Sequence, residues 1–254
     1  MIHYHGGPIC PLGAAVALWT RRHGLTSFAH REQMSLMAEV CQSFVLDCGA
    51  FTLWRAGDGV VDIDAYAAWV REWESHPGFD FAIVPDVIDG SEADNAKMCA
   101  RWLQIWPRMK PAAVVWHLHE SLDRLAYLIR CVEARVYDRI ALGSSGEWAS
   151  IGTDAWWRRM DDVRDVACDD VGRPKVKIHG LRMLSPEVFS RIPLSSADSC
   201  NVALNIGKDT KWSGPYQPLT PMTRALVMAE RIEQRPAAST WLENDRPQFA
   251  LELG

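Results

Sequence analysis

Phe44-Val45-Leu46-Asp47-Cys48-Gly49-Ala50-Phe51 is a short apolar run that ends on an acid and turns on a glycine. In a parallel α/β protein this pattern is a buried strand delivering one carboxylate to the C-terminal rim of the sheet, where active sites are built. The pattern recurs downstream. Phe81-Ala82-Ile83-Val84-Pro85-Asp86 ends on a second acid, and Leu194-Ser195-Ser196-Ala197-Asp198-Ser199 sets a third after a run of small residues. Three strand-end aspartates are therefore expected to converge on one mouth.

Outward from this stretch, short apolar runs alternate with longer segments of three- and four-residue apolar spacing, the signature of repeated βα units. Eight strands are predicted at 2–5, 25–29, 43–47, 81–86, 113–118, 139–143, 175–179 and 194–198. Helices are predicted at 31–40, 63–74, 92–106, 121–134, 153–168, 186–191 and 223–233. Asp62, Ser91 or Asp89, and Ser185 before Pro186 read as helix caps. The expected fold is an α/β protein with a single (β/α)8 TIM-barrel-like domain over residues 1–235 and a short C-terminal helical extension. Residues 236–254, with two prolines and several charges, read as a loosely attached tail.

A chain of 254 residues with 48% hydrophobic content can bury one large core. Its net charge of −5 argues against broad nonspecific binding to nucleic acid but permits a local basic patch. The seven cysteines form no CxxC or CxC pair, which fits reduced, mostly buried thiols. The N-terminus lacks the basic start and apolar core of a signal peptide, and no stretch approaches the ~20 apolar residues of a membrane span. A cytoplasmic protein with no membrane partner is expected.

In this register the mouth collects His5 or Gly6, Asp47, Asp86, His117 and His119, Gly143 with Ser144 and Ser145, His179 with Gly180, and Asp198. Each has a plain structural alternative. An acid just past a strand is often a helix cap or turn former, as for Asp86 with Asp89 and Gly90 nearby. Asp47 is harder to explain so, because an apolar setting would desolvate its carboxylate and raise its pKa, a state useful to a general acid or base. His117 and His119 fall at the end of one predicted strand, and one at most is expected to point into the barrel, the other facing a helix or the rim. A His-x-His pair is compatible with zinc, but with no third ligand spaced nearby it is weak evidence for a metal site, and none is assigned. Gly143-Ser144-Ser145-Gly146 is either an anion-binding turn or only a tight βα connection. Trp54 follows a strand-end acid, and Trp212 falls in a later loop; either could stack on a flat base.

The run from Val45 to Phe51 resembles the strand-end aspartate motif of tRNA-guanine transglycosylases, and more closely that of phage and bacterial DNA 7-deazaguanine transglycosylases. Further segments follow in that family's order over roughly residues 40 to 210. Phe81 to Asp86 is similar to its second base-recognising acid, Ala113 to His119 to its central strand, and Ile140 to Ser144 to its glycine pair. Lys177 to Leu181 with Ser185-Pro186-Glu187 is similar to its phosphate-side loop, and Ser196 to Ser199 to the strand of its nucleophile.

The resemblance implies exchange of a base without cleavage of the backbone and without a cofactor. Asp198 would attack C1′ of a deoxyguanosine to form a covalent glycosyl ester, and a 7-deazaguanine such as preQ0 or preQ1 would then take the sugar back. Asp47 would handle the proton of the leaving and entering bases, Asp86 would bind N1–H and the exocyclic amine, and the backbone around Gly143 and Ser144 would hold O6. His117, His179, Gly180 and Trp54 complete the implied substrate site; Lys175, Lys177, Arg182, Lys208 and Lys211 would meet phosphates. The chain lacks the family's CxCxxC-and-histidine zinc module, which favours DNA over tRNA as partner and leaves both a homodimer and partner proteins open. Cys48 and Ala50 stand where the family more often has serine and glycine. Two rival classes are a barrel hydrolase using Asp47, His117, His119 and Asp198, with or without a metal, and a non-catalytic nucleic-acid-binding barrel.

Overall fold

The computed structural model describes residues 1–57, 59–106, 110–207 and 218–242. Eight parallel strands close into a barrel in chain order: β1 (Ile2–Gly6), β2 (His23–Ser27), β3 (Ser43–Asp47), β4 (Phe79–Ile83), β5 (Ala112–His117), β6 (Arg139–Gly143), β7 (Ile178–Gly180) and β8 (Ser196–Ser199). The fold is the expected (β/α)8 barrel, and β3 and β6 have the predicted bounds. The other strands lie within a few residues of their expected places.

The period of two along each strand sorts side chains into two cores. Tyr4, Leu25, Val45, Phe81, Ile83, Ala113, Val115 and Ala141 fill the barrel interior. Their neighbours Phe44, Leu46, Ala82, Val114, Trp116, Ile140 and Leu142 face the helices in a larger outer core. The alternation breaks once. The β3–β4 register shifts between Phe44 and Val45, and Phe79 packs outward while Phe81 points inward. Asp80 sits at this break, and its carboxylate accepts from Tyr4 Oη at 2.5 Å and from Ser43 Oγ.

The helices described are α1 (Leu12–Trp19), α2 (Met34–Val40), α3 (Ala50–Ala56), α4 (Ile63–Trp73), α5 (Glu92–Ile105), α6 (Leu122–Glu133), α7 (Asp154–Ala167), α8 (Pro186–Phe189), α9 (Asn201–Asn205) and α10 (Pro221–Glu233). Asp62 caps α4 through Ala65 N–H at 3.0 Å, and Ser91 with Asp94 forms a capping box on α5. Proline opens α8 as expected, but the Ser185 side chain makes no capping bond. Three helices carry no usable sequence signal. Helix α1, LGAAVALW, is apolar nearly all round, and α3 and α9 are only 7 and 5 residues long.

Residues 236–242 are not loose. Ala238 N–H donates to Phe189 O at 2.8 Å, Trp241 N–H to Gly172 O at 2.8 Å and Leu242 N–H to Arg191 O at 2.9 Å, and the Trp241 ring is buried. Its burial alone contributes on the order of 2–3 kcal/mol. Helix α10 lies against α1, where Glu233 accepts from Arg22 Nε at 2.9 Å and meets His5 Nε2 at 2.9 Å. Among the described residues no helix is long and apolar enough to cross a membrane.

Candidate active site

Strand β3 ends on Asp47, and the chain then turns through Gly49 at φ 83° into α3. A side chain at Gly49 would strain this left-handed backbone and press to 3.1 Å of Ala29 and Ser27. The turn returns the Gly49 N–H to Asp47 Oδ2 at 3.0 Å. Asp86 follows β4, where its Oδ2 meets His117 Nε2 at 2.7 Å and its Oδ1 lies 3.5 Å from Cys48 Sγ. His117 closes β5, and Gly143 closes β6 opposite it. A Cβ at Gly143 would come to 2.9 Å of His117 Nδ1, so glycine is what admits the ring. Asp198, on β8, accepts the Arg182 N–H on Oδ1 at 3.1 Å. Arg182 has a φ of 59°, a conformation non-glycine residues rarely adopt, and this aims its amide at the carboxylate.

These groups face one cleft of about 880 Å³, open mouth included, at the C-terminal end of the barrel. Leu25, Ile83, Ala50, Phe51, Ile88 and Leu181 supply apolar walls; Asp47, Asp86, Asp198, His117, Ser144 and Arg182 supply the polar groups. The Arg182 guanidinium lies over the Phe51 ring at 4.2 Å and donates to Ser144 O at 3.2 Å, folding across the rim.

The electrostatics are uneven. Burial, reinforced by the charges of Asp198 and Asp86, raises Asp47 to about 7 in spite of the Gly49 N–H and the Ser27 hydroxyl. Burial would lower His117, but its bond to Asp86 and the charges of Asp86, Glu120 and Asp89 outweigh it and leave the imidazole above its ordinary value. Burial also raises the Cys48 thiol well above its usual range and Cys200 to about 12, so neither is a thiolate at neutral pH.

Of the residues the sequence proposed, Asp47, Asp86, His117, Gly143, Ser144, Arg182 and Asp198 line the cleft. His179 and Gly180 do not. The His179 ring points into the barrel beneath Asp198, fully buried, because β7 ends at Gly180 and its inward position falls one layer below the mouth. His5 points outward to Glu233, since Tyr4 takes the inward position, and Gly7 reaches the cleft in its place. Trp54 stands outside the lining and braces the rim, its Nε1 donating to Asp89 Oδ2 at 2.6 Å.

Only His117 of the two histidines faces the cleft, as expected, but alternation is not the cause: residues two apart on a strand share a face, and the two diverge because β5 stops at His117. His119 sits in the following turn, with its ring stacked on His117 at 5.5 Å and its nitrogens on Ser145 Oγ and Gly90 O. The Ser144 hydroxyl is taken by Trp156 Nε1 at 2.9 Å.

Lys175 and Lys177 precede β7 and so lie at the opposite end of the barrel, where Lys175 Nζ donates to Val166 O and Lys177 Nζ to Asp138 Oδ1 at 3.0 Å. They cannot meet a phosphate at the mouth. Lys208, Lys211 and Trp212 lie outside the described residues. Sequence reasoning missed Ser27, His30, Leu181 and the role of Phe51; carrying the period of two along β2 from Leu25 would have found Ser27. Among the described residues no three His, Cys, Asp or Glu side chains are arranged to hold a metal ion. A scan against protein-family models gives no match, and a search of curated proteins gives none either.

Proposed function

We propose that the chain is a base-exchange glycosyltransferase that replaces guanine in DNA by a 7-deazaguanine through a covalent aspartyl–glycosyl intermediate. The observation that carries this reading is the pairing of two unlike carboxyl groups across one cleft. Asp198 has one oxygen held by the Arg182 amide, while Asp47 is raised to about 7 and carries a proton through much of the neutral range. A carboxyl group tethered by a backbone amide and one that holds its proton near neutral pH are suited to nucleophile and general acid.

In the first half-reaction an Asp198 oxygen forms a bond to C1′ as the C1′–N9 bond breaks. The electron pair passes to the guanine ring, which takes the Asp47 proton. In the second, Asp47 removes the N9 proton of the incoming 7-deazaguanine, N9 attacks C1′, and the ester releases the Asp198 carboxylate. Protons and charge balance over the cycle. As guanine leaves, negative charge grows on O6, and a donor placed there lowers the barrier. His117 Nδ1 is buried in the cleft without a hydrogen-bond partner among the described residues, and its raised pKa favours the form in which both nitrogens donate. Asp86 fixes the other nitrogen and has lone pairs left for the N1–H and amine edge. Phe51 and Leu181, both lining the cleft, offer apolar contact to a purine removed from its stack, a step that costs a few kcal/mol in duplex DNA and less in single strands.

The test is release of radiolabelled guanine from DNA and from tRNA with preQ0 or preQ1 supplied. Release from DNA that vanishes in Asp198→Ala supports the proposal. Release from tRNA alone changes the substrate, and release from neither overturns the reading.

A further inference from the structure

We infer that His179 positions Asp198, and that its tautomer is set from the floor of the barrel by Arg139 acting through Ser196. The hydrogen bonds from Arg139 through Ser196 to His179 Nδ1 stand by themselves; the catalytic consequence rests on the proposed base exchange.

The argument starts from a group that can only donate. The Arg139 guanidinium has no acceptor atom. It is buried near the start of β6, over the Phe81 ring at 3.9 Å, and held by Asp138 Oδ2 at 2.7 Å. Its Nη1 donates to Ser196 Oγ at 3.2 Å. Ser196 must accept that bond, and its own hydroxyl proton then has an acceptor at 2.9 Å in His179 Nδ1. A neutral imidazole that accepts at Nδ1 carries its proton on Nε2. Nε2 is the nitrogen that faces Asp198 Oδ1, at 3.3 Å. The opposite tautomer would set a nitrogen lone pair against the carboxylate. The edges of Tyr4, at 6.0 Å, and Phe81, at 5.3 Å, confine the ring plane.

Asp198 Oδ1 thus accepts the Arg182 amide and lies 3.3 Å from His179 Nε2, a charge contact outside hydrogen-bond geometry that leaves this buried nitrogen otherwise unpartnered among the described residues. Among the described residues no hydrogen bond is made to Oδ2. The two oxygens are thereby divided in role: Oδ1 tethers the side chain and Oδ2 keeps its lone pairs for C1′. This accounts for a histidine placed one layer below the mouth, where it touches no substrate.

Nitrogen-15 NMR of the unmutated protein at neutral pH reads the tautomer directly and requires no activity. A neutral His179 protonated on Nε2 is expected, shifting toward Nδ1–H in Ser196→Ala. An Nδ1–H or doubly protonated ring in the unmutated protein, or a tautomer indifferent to Ser196→Ala, overturns the inference whether or not the protein exchanges bases. A variant that does not fold leaves the unmutated spectrum to decide.

In the guanine-release assay, Ser196→Ala should lower kcat about 10- to 100-fold with KM unchanged, as expected for loosened positioning of a nucleophile. His179→Gln, whose amide can donate, should retain more activity than His179→Phe. Full kcat in a folded His179→Phe overturns the positioning role. Absence of release in the unmutated protein overturns the base-exchange reading instead, and the tautomer result still stands.

Discussion

The two ends of the barrel treat their acids differently. At the N-terminal floor two half-buried carboxylates have donors built around them: Asp80 takes Tyr4 and Ser43, and Asp138 takes Arg139 and Lys177. Burial alone would raise Asp138, yet the two cations overcome it and hold the group below its ordinary value. At the mouth three aspartates share one cleft; Asp86 meets His117 at 2.7 Å, the Arg182 guanidinium leans over Phe51, and among the described residues no ion pair reaches Asp47. Burial, reinforced by that crowding, lifts the Asp47 pKa to about 7. Compensated charge at the floor serves the fold; charge left uncompensated at the mouth costs stability but is available to a substrate.

This contrast can be broken by experiment. The largest effect is expected from Asp198→Ala, which should reduce guanine release by about 10,000-fold or more while leaving the thermal midpoint nearly unchanged, as measured by initial rates and calorimetry. A comparable loss of stability would make Asp198 a structural acid like those of the floor. Asp47→Asn should cost about 100- to 10,000-fold, the range for a general acid. In the unmutated enzyme the release step should slow as pH rises through about 7, because the proton Asp47 must give is then lost. A release rate independent of pH between 6 and 8.5 would remove Asp47 from that role.

At the floor the expected sign is reversed. Asp138→Ala should destabilise by about 2 kcal/mol in urea unfolding, because Arg139 stays buried without its carboxylate; the partial exposure of Asp138 keeps the loss below that of a fully buried pair. Asp47→Asn should instead stabilise, by about 1–2 kcal/mol at pH 8. The folded-state pKa is raised, so the contribution of Asp47 is most favourable below pH 4 and is lost as pH rises to about 7. The smallest effect belongs to the rim. Arg182→Ala should lower the salt dependence of DNA binding by about one unit of slope, whereas Lys177→Ala at the far end should leave it unchanged. Equal effects of the two would contradict their placement.

Much of the barrel was legible because a buried parallel strand writes itself as a short apolar run, and a strand-end acid followed by glycine marks the rim. Asp47, Asp86, His117, Gly143 and Asp198 were found this way. The failures are local in cause. Helix α1 has no polar face to give it a period, and α3 and α9 are too short for one. Lys175 and Lys177 were assigned to phosphate through the resemblance of Lys177 to Leu181 to a phosphate-side loop; lying just before β7, which starts at Ile178, they belong to the floor. Trp54 was expected to offer its face to a base and is instead committed to Asp89.

By itself the sequence determined the order of βα units and which residues end the strands, because period and punctuation act over a few neighbouring residues. Only the tertiary structure decided which of those residues share a cleft, that Asp47 feels two other acids, and that a column from Arg139 through Ser196 and His179 reaches Asp198. Those facts depend on barrel closure and on the register between strands far apart in the chain. Coulombic and hydrogen-bond interactions follow distance in space, which the spacing of residues along the sequence does not contain.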